Sequence, residues 1–335
     1  MKEIERVAVI GAGLAGLSCA RHLQQQGLEV QLFEKSRGAA GRMSTRRGED
    51  WQCDHGAQYF TARDPDFRAE VARWQALGVA AVWQPRLEVF GAEDLHTPDE
   101  SLERFVGMPR MTAPARSLAL TLDLRLQATV RHIERSPAGW RLSTLEQGLL
   151  DEHFDAIVLA VPAPQAVPLL TPHSPALASL ATQARMRAAW ALMLRYEAPL
   201  ELHFDAAFVN HGPLRWVARD SHKPGRGPRE TWLLHATPEW SAEHLEAPAE
   251  AVAEALLGAF AKLGAETPPA AWSAHRWRFA DTEPALDRVC CWDDERRIGL
   301  CGDWLNGGKV EGAWLSGRAL ARRIGAAATV GSELP

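Results

Sequence analysis

Lysine, tyrosine and long apolar runs are scarce in this 335-residue chain. Of 37 basic residues, five are lysine: Lys2, Lys35, Lys223, Lys262 and Lys309. Chemistry that needs a mid-chain amine therefore has two candidates, Lys223 in a solvent-type loop and Lys262 at a helix end. Tyr59 and Tyr196 are the only tyrosines, too few for a paired-tyrosine cage with members to spare. The arginine excess suits phosphate binding, and high-GC codon usage accounts for it equally well. The richest apolar run, 156–170, is broken by Pro162, Pro164 and Pro168, so nothing reads as a membrane span. The five cysteines are odd in number and none forms Cys-x-x-Cys. That excludes a disulfide framework and a redox-active disulfide motif. A net charge of −5 offers no basic surface for nucleic acid or an anionic membrane. No metal site is read, and no repeat or low-complexity tract is present. With reduced thiols and no signal-peptide-like segment ahead of the first strand, the expected location is cytoplasmic. The oligomeric state is not legible.

What the chain does have begins at once. Val7 to Ile10 is a β-branched strand, followed by Gly11-Ala12-Gly13-Leu14-Ala15-Gly16, an apolar-periodic stretch, and the strand Val30 to Phe33 ending at Glu34. A Gly-x-Gly-x-x-Gly alone is a weak signal. Flanked by strand and helix, with an acidic residue closing the next strand, it specifies a dinucleotide-binding βαβ unit. Gly11 permits the tight turn, Gly13 lets backbone approach a pyrophosphate, and Gly16 packs the helix against the strands. The free N–H groups at the helix start, around Leu14 and Ala15, face the phosphates. Leu14, Leu17, Ala20 and Leu23 form the buried stripe, and Gly27 ends the helix. Glu34 accepts from ribose hydroxyls, with Lys35 beside it.

The next segment decides which dinucleotide. Arg37-Gly38-Ala39-Ala40-Gly41-Arg42-Met43 resembles the Arg-x-Gly-Gly-Arg element of amine-oxidase-like flavoproteins, with Ala40 where the first paired glycine would stand. Gly41 and Met43 keep that loop against the cofactor, and Arg42 offsets pyrophosphate charge. At the far end, Arg297 to Trp304 reads as a strand ending in Gly302-Asp303, and Gly307 to Ala313 opens a helix. Asp303 accepts from the ribityl or pyrophosphate region. Val310, Glu311 and Gly312 at the helix N-terminus face the flavin N1/O2 edge and favour the charge of reduced flavin. There is no second Gly-x-Gly-x-x-Gly, so a disulfide reductase with its own NADPH domain is disfavoured. The cofactor read from both ends is FAD.

Between these ends, Gly56 and Ala57 are small enough to lie against an isoalloxazine, with Gln58 and Tyr59 following and Tyr59 on the substrate side. The pattern predicts a helix over 65–77, a strand over 82–90, a helix over 112–122 and one strand over 124–135. Val130 lies where adenine meets backbone in related folds. A buried parallel strand follows over 154–161. Pro162 marks a crossing into a second domain with strands at 188–196, 214–219, 231–236 and 270–279 and a single helix over 241–263. Residues 221–228 read as an exposed hairpin loop. The expected fold class is α/β: a discontinuous Rossmann-like FAD domain (1–62, 106–163, 280–328), a strand-rich α+β substrate domain (63–105, 164–279) and a flexible tail at 329–335.

These stretches resemble the renalase family in its bacterial form. The resemblance spans essentially the whole chain and rests on 54–61, 106–111, Leu234-His235-Ala236-Thr237, His275-Arg276-Trp277-Arg278 and 301–312. It implies a p-hydroxybenzoate-hydroxylase-like fold, non-covalent FAD, and oxidation of isomeric dihydronicotinamide dinucleotides to NAD(P)+ with O2 reduced to hydrogen peroxide. It also implies that Tyr59, His235 and Trp277 line the substrate pocket, with His235 on the carboxamide and Trp277 as a stacking wall. Arg215 is a further candidate, for a substrate phosphate. Three other readings stay open: amine oxidase, flavin monooxygenase and non-catalytic flavoprotein. Against amine oxidation, 304–311 has no cysteine to attach a flavin, although 13 tryptophans leave material for an aromatic cage. A dihydropyridine regains aromaticity on losing hydride, so its oxidation asks for placement at about 3–3.5 Å and no acid/base pair.

Overall fold

The computed structural model describes residues 3–91 and 102–330, with the side chains of 329 and 330 left aside. Two compact units are present, one from 1–41, 115–186 and 281–335, the other from 42–114 and 187–280.

The first unit is built on a six-stranded sheet. Strand β1 (Arg6–Ile10) lies between β2 (Glu29–Glu34) and Ala156–Leu159, parallel to both. Asp123–Leu126 extends the sheet beyond β2, while Ile298–Leu300 and then antiparallel Cys291–Asp293 extend it on the other side. Val7, Ala8 and Val9 are fully buried, as a parallel strand covered on both faces requires. Helix α1 (Leu14–Gln25) covers one face with the predicted stripe and ends before Gly27, at φ +88°. The helix Val310–Val330 packs on α1, and a Cβ at Gly317 would meet the Ala15 carbonyl oxygen at 2.1 Å. The other face carries a three-stranded sheet around Trp140 and the helices Ala163–Leu170 and Pro175–Thr182.

The second unit is also built on six strands, in the order Ala271–Thr282, Met186–Tyr196, Glu230–Ala236, Leu214–Arg219, Ala206–Val209 and Leu87–Phe90. One face buries Leu192, Leu194, Trp232 and Leu234 with Val252, Leu256 and Phe260 of the helix Ala249–Ala261.

Several expectations are corrected. The strand over 124–135 is two strands in different sheets, because Gln127 takes φ +52° and turns the chain. The stretch 82–90 splits into Ala80–Val82, paired with Phe105–Gly107, and Leu87–Phe90, with Asp205 holding the Arg86 amide and guanidinium at the break. The helix over 241–263 is two helices, Pro238–Glu243 capped by Thr237 and Ala249–Ala261 restarted after Pro248. Residues 42–62 and 106–114 pack in the second unit, where Asp54 holds the Met111 amide. Residues 164–186 stay in the first unit, since Ala166, Leu170 and Ala181 share the Trp140 core. Of the tail read at 329–335, residues 331–335 lie outside the described residues, and the last helix runs to Val330.

Candidate functional site

Two helix N-termini of the first unit carry the glycine signals. Gly11 has φ +102°, and a Cβ there would lie 2.5 Å from the Ala160 carbonyl oxygen. Gly13 caps α1 with no side-chain hydrogen bond, and a Cβ on it would meet nothing within 4 Å. Leu14 and Ala15 make the first turn. Beside them the Ala12 amide donates to Glu34 Oε2 (2.9 Å) and the Ser36 amide to Oε1 (2.8 Å), fixing a nearly buried carboxylate. Lys35 reaches away to Gln165 (3.3 Å). The loop after β2 folds back through a bridge between Gly13 and Ala40. Ala40 sits at φ +110° and Gly41 at +53°, which shows why glycine is favoured where alanine stands. Val130 begins the strand leading into the Trp140 core.

At the second terminus, the Gly302 amide donates to Ser316 Oγ (2.9 Å), and the Asp303 carbonyl accepts from the Asn306 and Gly308 amides. Val310 and Glu311 open the helix. A Cβ at Gly312 would lie 1.7 Å from the Asn306 carbonyl oxygen, so only glycine fits. Open space at Gly13, a fixed acceptor at Glu34 and free helix-start amides suit the ADP half of a dinucleotide. The residues fit FAD.

In the second unit, residues 54–58 are pinned at successive polar groups. The Asp54 carboxylate accepts from Thr45 Oγ1, the Met111 amide, Lys223 Nζ and Arg226. Gln58 Nε2 donates to the carbonyls of Asp54 (2.7 Å) and Gly56 (3.2 Å). The Ala57 amide donates to the Arg42 carbonyl (2.9 Å), and a Cβ at Gly56 would strike that oxygen at 1.9 Å. Arg42 also donates to the Ala280 carbonyl (3.1 Å), and Met43 is buried. The His55 carbonyl accepts from Trp277 Nε1 (2.8 Å) and His235 Nε2 (3.2 Å). A carbonyl only accepts, so the His235 proton is on Nε2.

The same residues meet on the sheet face turned away from the helix Ala249–Ala261. Register places Ala191, His235, Trp216 and Phe208 side by side on adjacent strands. Tyr59 packs on Trp216 with centroids 5.6 Å apart, under Arg104. Trp277 stacks on the His55 ring at 5.3 Å, with His275 edge-on to both. The structure thus brings Tyr59, His235 and Trp277 onto one aromatic face. Arg215 is the extra residue of a bulge between the Leu214 and Trp216 pairings, a device that re-aims side chains beside sites.

Burial, then the neighbouring His275, Arg46 and His235, hold the His55 imidazole down to about 3; burial and Arg46 hold His275 down to about 4. Both are neutral at pH 7. The unfolded chain takes these protons near 6.5 and the folded chain refuses them, so stability is full above pH 6.5 and falls as pH drops toward 4. His55 contributes about 1.4 kcal/mol per pH unit across that window. Urea unfolding at pH 7, 6, 5 and 4.5 is expected to show this slope, reduced in His55→Phe. Equal slopes in both proteins would remove His55 from the account.

Sequence reasoning missed Lys223. The loop read as exposed buries it completely at the side chain, with Nζ 2.8 Å from Asp220 Oδ1, 3.2 Å from Gln58 Oε1 and 3.3 Å from Asp54 Oδ2. Arg226 is 1% exposed and completes a quartet of two acids and two bases. Burial pushes the Asp54 carboxyl up, but Lys223 and Arg226 outweigh it and hold the group low; at Asp220 burial and Asp54 win, and the carboxyl is raised. The available signal was the i,i+3 spacing of Asp220 and Lys223 in a lysine-poor chain.

Comparison with known proteins bears on this geometry. A model of NAD(P)-binding Rossmann-like domains matches residues 9–74, and one of flavin containing amine oxidoreductases matches 63–325. The chain belongs to the flavin-containing amine oxidoreductase family. FAD is its cofactor. The flavoprotein is similar to a putative protoporphyrinogen oxidase from Exiguobacterium sp. 255-15 (TM-score 0.75, 14% identity, 96% of this chain and 99% of that one). It is also similar to cyclohexylamine oxidase from Brevibacterium oxydans IH-35A (TM-score 0.71, 13% identity, 97% and 99%). At such identity these structures establish the fold. Among curated sequences, it is 35% identical over 116 residues to hydroxyneurosporene desaturase of Rubrivivax gelatinosus, 30% of this chain and 22% of that protein. It is 42% identical over 60 residues to a possible lysine-specific histone demethylase 1 of Drosophila melanogaster, 18% of this chain and 7% of that protein. The matched part is thus a small share of either relative. Among the described residues no helix is long and apolar enough to cross a membrane, and no group of three metal-ligating side chains occurs.

Proposed function

We propose that this flavoprotein is an oxidase of isomeric dihydronicotinamide dinucleotides, the 6-dihydro form first and the 2-dihydro form second, yielding NAD(P)+ and hydrogen peroxide. The renalase-like motifs supply the substrate class. The observation that carries the choice is the state of Lys223. All three of its N–H donors are committed to buried acceptors, so it has none to hold a water for amine chemistry. His55 and His275 are neutral, and His235 has its Nε2 proton on a backbone carbonyl. An aromatic face whose His235 and Trp277 protons are held by the His55 carbonyl suits a substrate that gives up hydride without losing a proton from carbon.

Bound FAD supplies the two-electron acceptor and the route to oxygen. It is held non-covalently. Within the first unit the α1 N-terminus at Gly13 would take its pyrophosphate, Glu34 its ribose hydroxyls, and Asp303 with the Gly312 helix start the ribityl side. Tyr59, Trp216 and Trp277 present ring faces to a planar heterocycle, and His235 orients its carboxamide. Arg215 meets a phosphate of the dinucleotide. Amine oxidation is the second reading, favoured by the family match and by the Tyr59–Trp216 pair as one wall of an aromatic cage.

Anaerobic stopped-flow mixing separates the two. Bleaching of the flavin by 6-dihydroNAD(P) is expected to run at least about 100-fold faster than by NADPH or by primary amines, equivalent to about 2.7 kcal/mol in barrier. Bleaching by amines alone sinks the proposal, and no bleaching by any donor replaces it with a non-catalytic flavoprotein.

A further inference from the structure

Four of the five cysteines lie in the first unit, and three of them meet. In the antiparallel pair of Cys291–Asp293 with Ile298–Leu300, the partners are Cys291↔Leu300, Trp292↔Gly299 and Asp293↔Ile298. The ladder ends at Cys291↔Leu300, and Cys290 and Cys301 are the next residues outward on the two chains. Continued by one step, that register puts the two cysteines on one face, and residues directly opposite in such a ladder have Cα atoms about 4.5–5.5 Å apart, inside the range a disulfide spans. The contacts agree on the face. Cys291 and Leu300 belong to the core with Trp140, while Cys301 hydrogen-bonds Cys19 of α1 and Cys290 hydrogen-bonds Arg323 of the last helix. The sulfurs therefore run inward from half-buried Cys290 to Cys301 and Cys19, both fully buried.

We propose that Cys290 and Cys301 form a peroxide-modified thiol pair, in which hydrogen peroxide oxidises Cys290 and Cys301 closes a disulfide on it. In the first step the Cys290 sulfur displaces water from peroxide and becomes a sulfenic acid. In the second the Cys301 sulfur attacks the Cys290 sulfur, the S–O bond breaks, and the hydroxyl leaves as water with the Cys301 proton. Two thiols are oxidised by two electrons in total, and one peroxide is reduced to two waters. Cys290 is attacked first because it alone of the three reaches the surface. Cys19 holds the hydrogen bond of the Cys301 thiol and is not a partner in the link. The link closes immediately before Gly302, whose amide is held by Ser316 Oγ.

Burial pushes the Cys290 thiol up to about 11, with Arg323 opposing it. The thiolate is the reactive form, so oxidation is slow at neutral pH and gains about tenfold per pH unit up to about pH 10. The test uses the FAD-loaded protein with added hydrogen peroxide, followed by tryptic mass mapping after alkylation. The expected product is one cross-linked peptide pair joining Cys290 and Cys301, two hydrogens lighter than the free thiols, reversed by dithiothreitol. In Cys301→Ser the oxidised Cys290 is trapped by dimedone instead. In Cys290→Ser, which changes a half-buried side chain and keeps the core intact, the loss of two thiols falls at least tenfold. A Cys19–Cys301 link, a pH-independent rate, or thiols that survive peroxide at pH 9 each overturn the proposal. The readout is independent of substrate, so its failure leaves the dihydronicotinamide reading standing.

Discussion

Lys223→Met is expected to destabilise the protein by about 3–5 kcal/mol, the cost of stranding buried charge. The amine sits among Asp54, Asp220 and Gln58 with the ring of Trp83 5.5 Å away, and its side chain has no exposed surface. Its removal leaves two buried carboxylates to one guanidinium. The acid with the raised pKa, Asp220, then takes a proton most readily, so the penalty shrinks as pH falls from 8 to 5. Lys223→Met with Asp220→Asn restores one charge of each sign, Asp54 with Arg226, and is expected to recover at least half of the loss. Urea unfolding followed by tryptophan fluorescence at both pH values measures all three proteins. A single-variant cost below about 1 kcal/mol, or no recovery in the double variant, would mean that water replaces the amine and the quartet does not hold the loop.

The quartet also marks where reading the sequence stops. The βαβ unit at the N-terminus was legible to the residue because strand, turn, helix and acidic terminus are contiguous, and Gly11 and Gly16 answer to local steric demands. The place of Glu34 at the end of β2, the left-handed turn at Gly41 and the tight approach at Gly312 are local features of the same kind. Lys223 was not legible, because its partner Asp54 is 169 residues away and only the fold brings a polar loop inside. The two helices between 238 and 261 kept one apolar period across the break, so periodicity joined them. The residues 54–58 stood out in sequence through the small Gly56-Ala57 pair and through resemblance, whereas the hydrogen bonds that fix them come from 42, 45, 58, 111, 223, 226, 235 and 277. Likewise, the strands that carry Cys290 and Cys301 just beyond their ends are brought together only once the turn at 294–297 sets the register.

Two glycines three positions apart should separate cofactor binding from folding. Gly13 has φ −73° and ψ 176°, ordinary values for any residue, and its missing Cβ faces open space. Gly16 is different: a Cβ there would lie 2.0 Å from the Gly11 carbonyl oxygen and 3.1 Å from the Ala160 Cβ, inside the packed contact of α1 with its strands. Gly13→Ala is therefore expected to change the stability of the apoprotein by less than about 1 kcal/mol, the range for a helix N-cap substitution. Its FAD dissociation constant is expected to rise at least about 100-fold, or about 2.7 kcal/mol, because the methyl group occupies the space through which backbone meets the pyrophosphate. Gly16→Ala is expected to lower apoprotein stability by about 1–3 kcal/mol through overpacking, with FAD binding lost in consequence. Urea unfolding of both apoproteins, paired with flavin fluorescence titration, distinguishes the two. If Gly13→Ala unfolds as readily as Gly16→Ala, the space at Gly13 belongs to the fold. If Gly13→Ala binds FAD normally, the pyrophosphate does not pass there and the assignment of α1 to the cofactor fails.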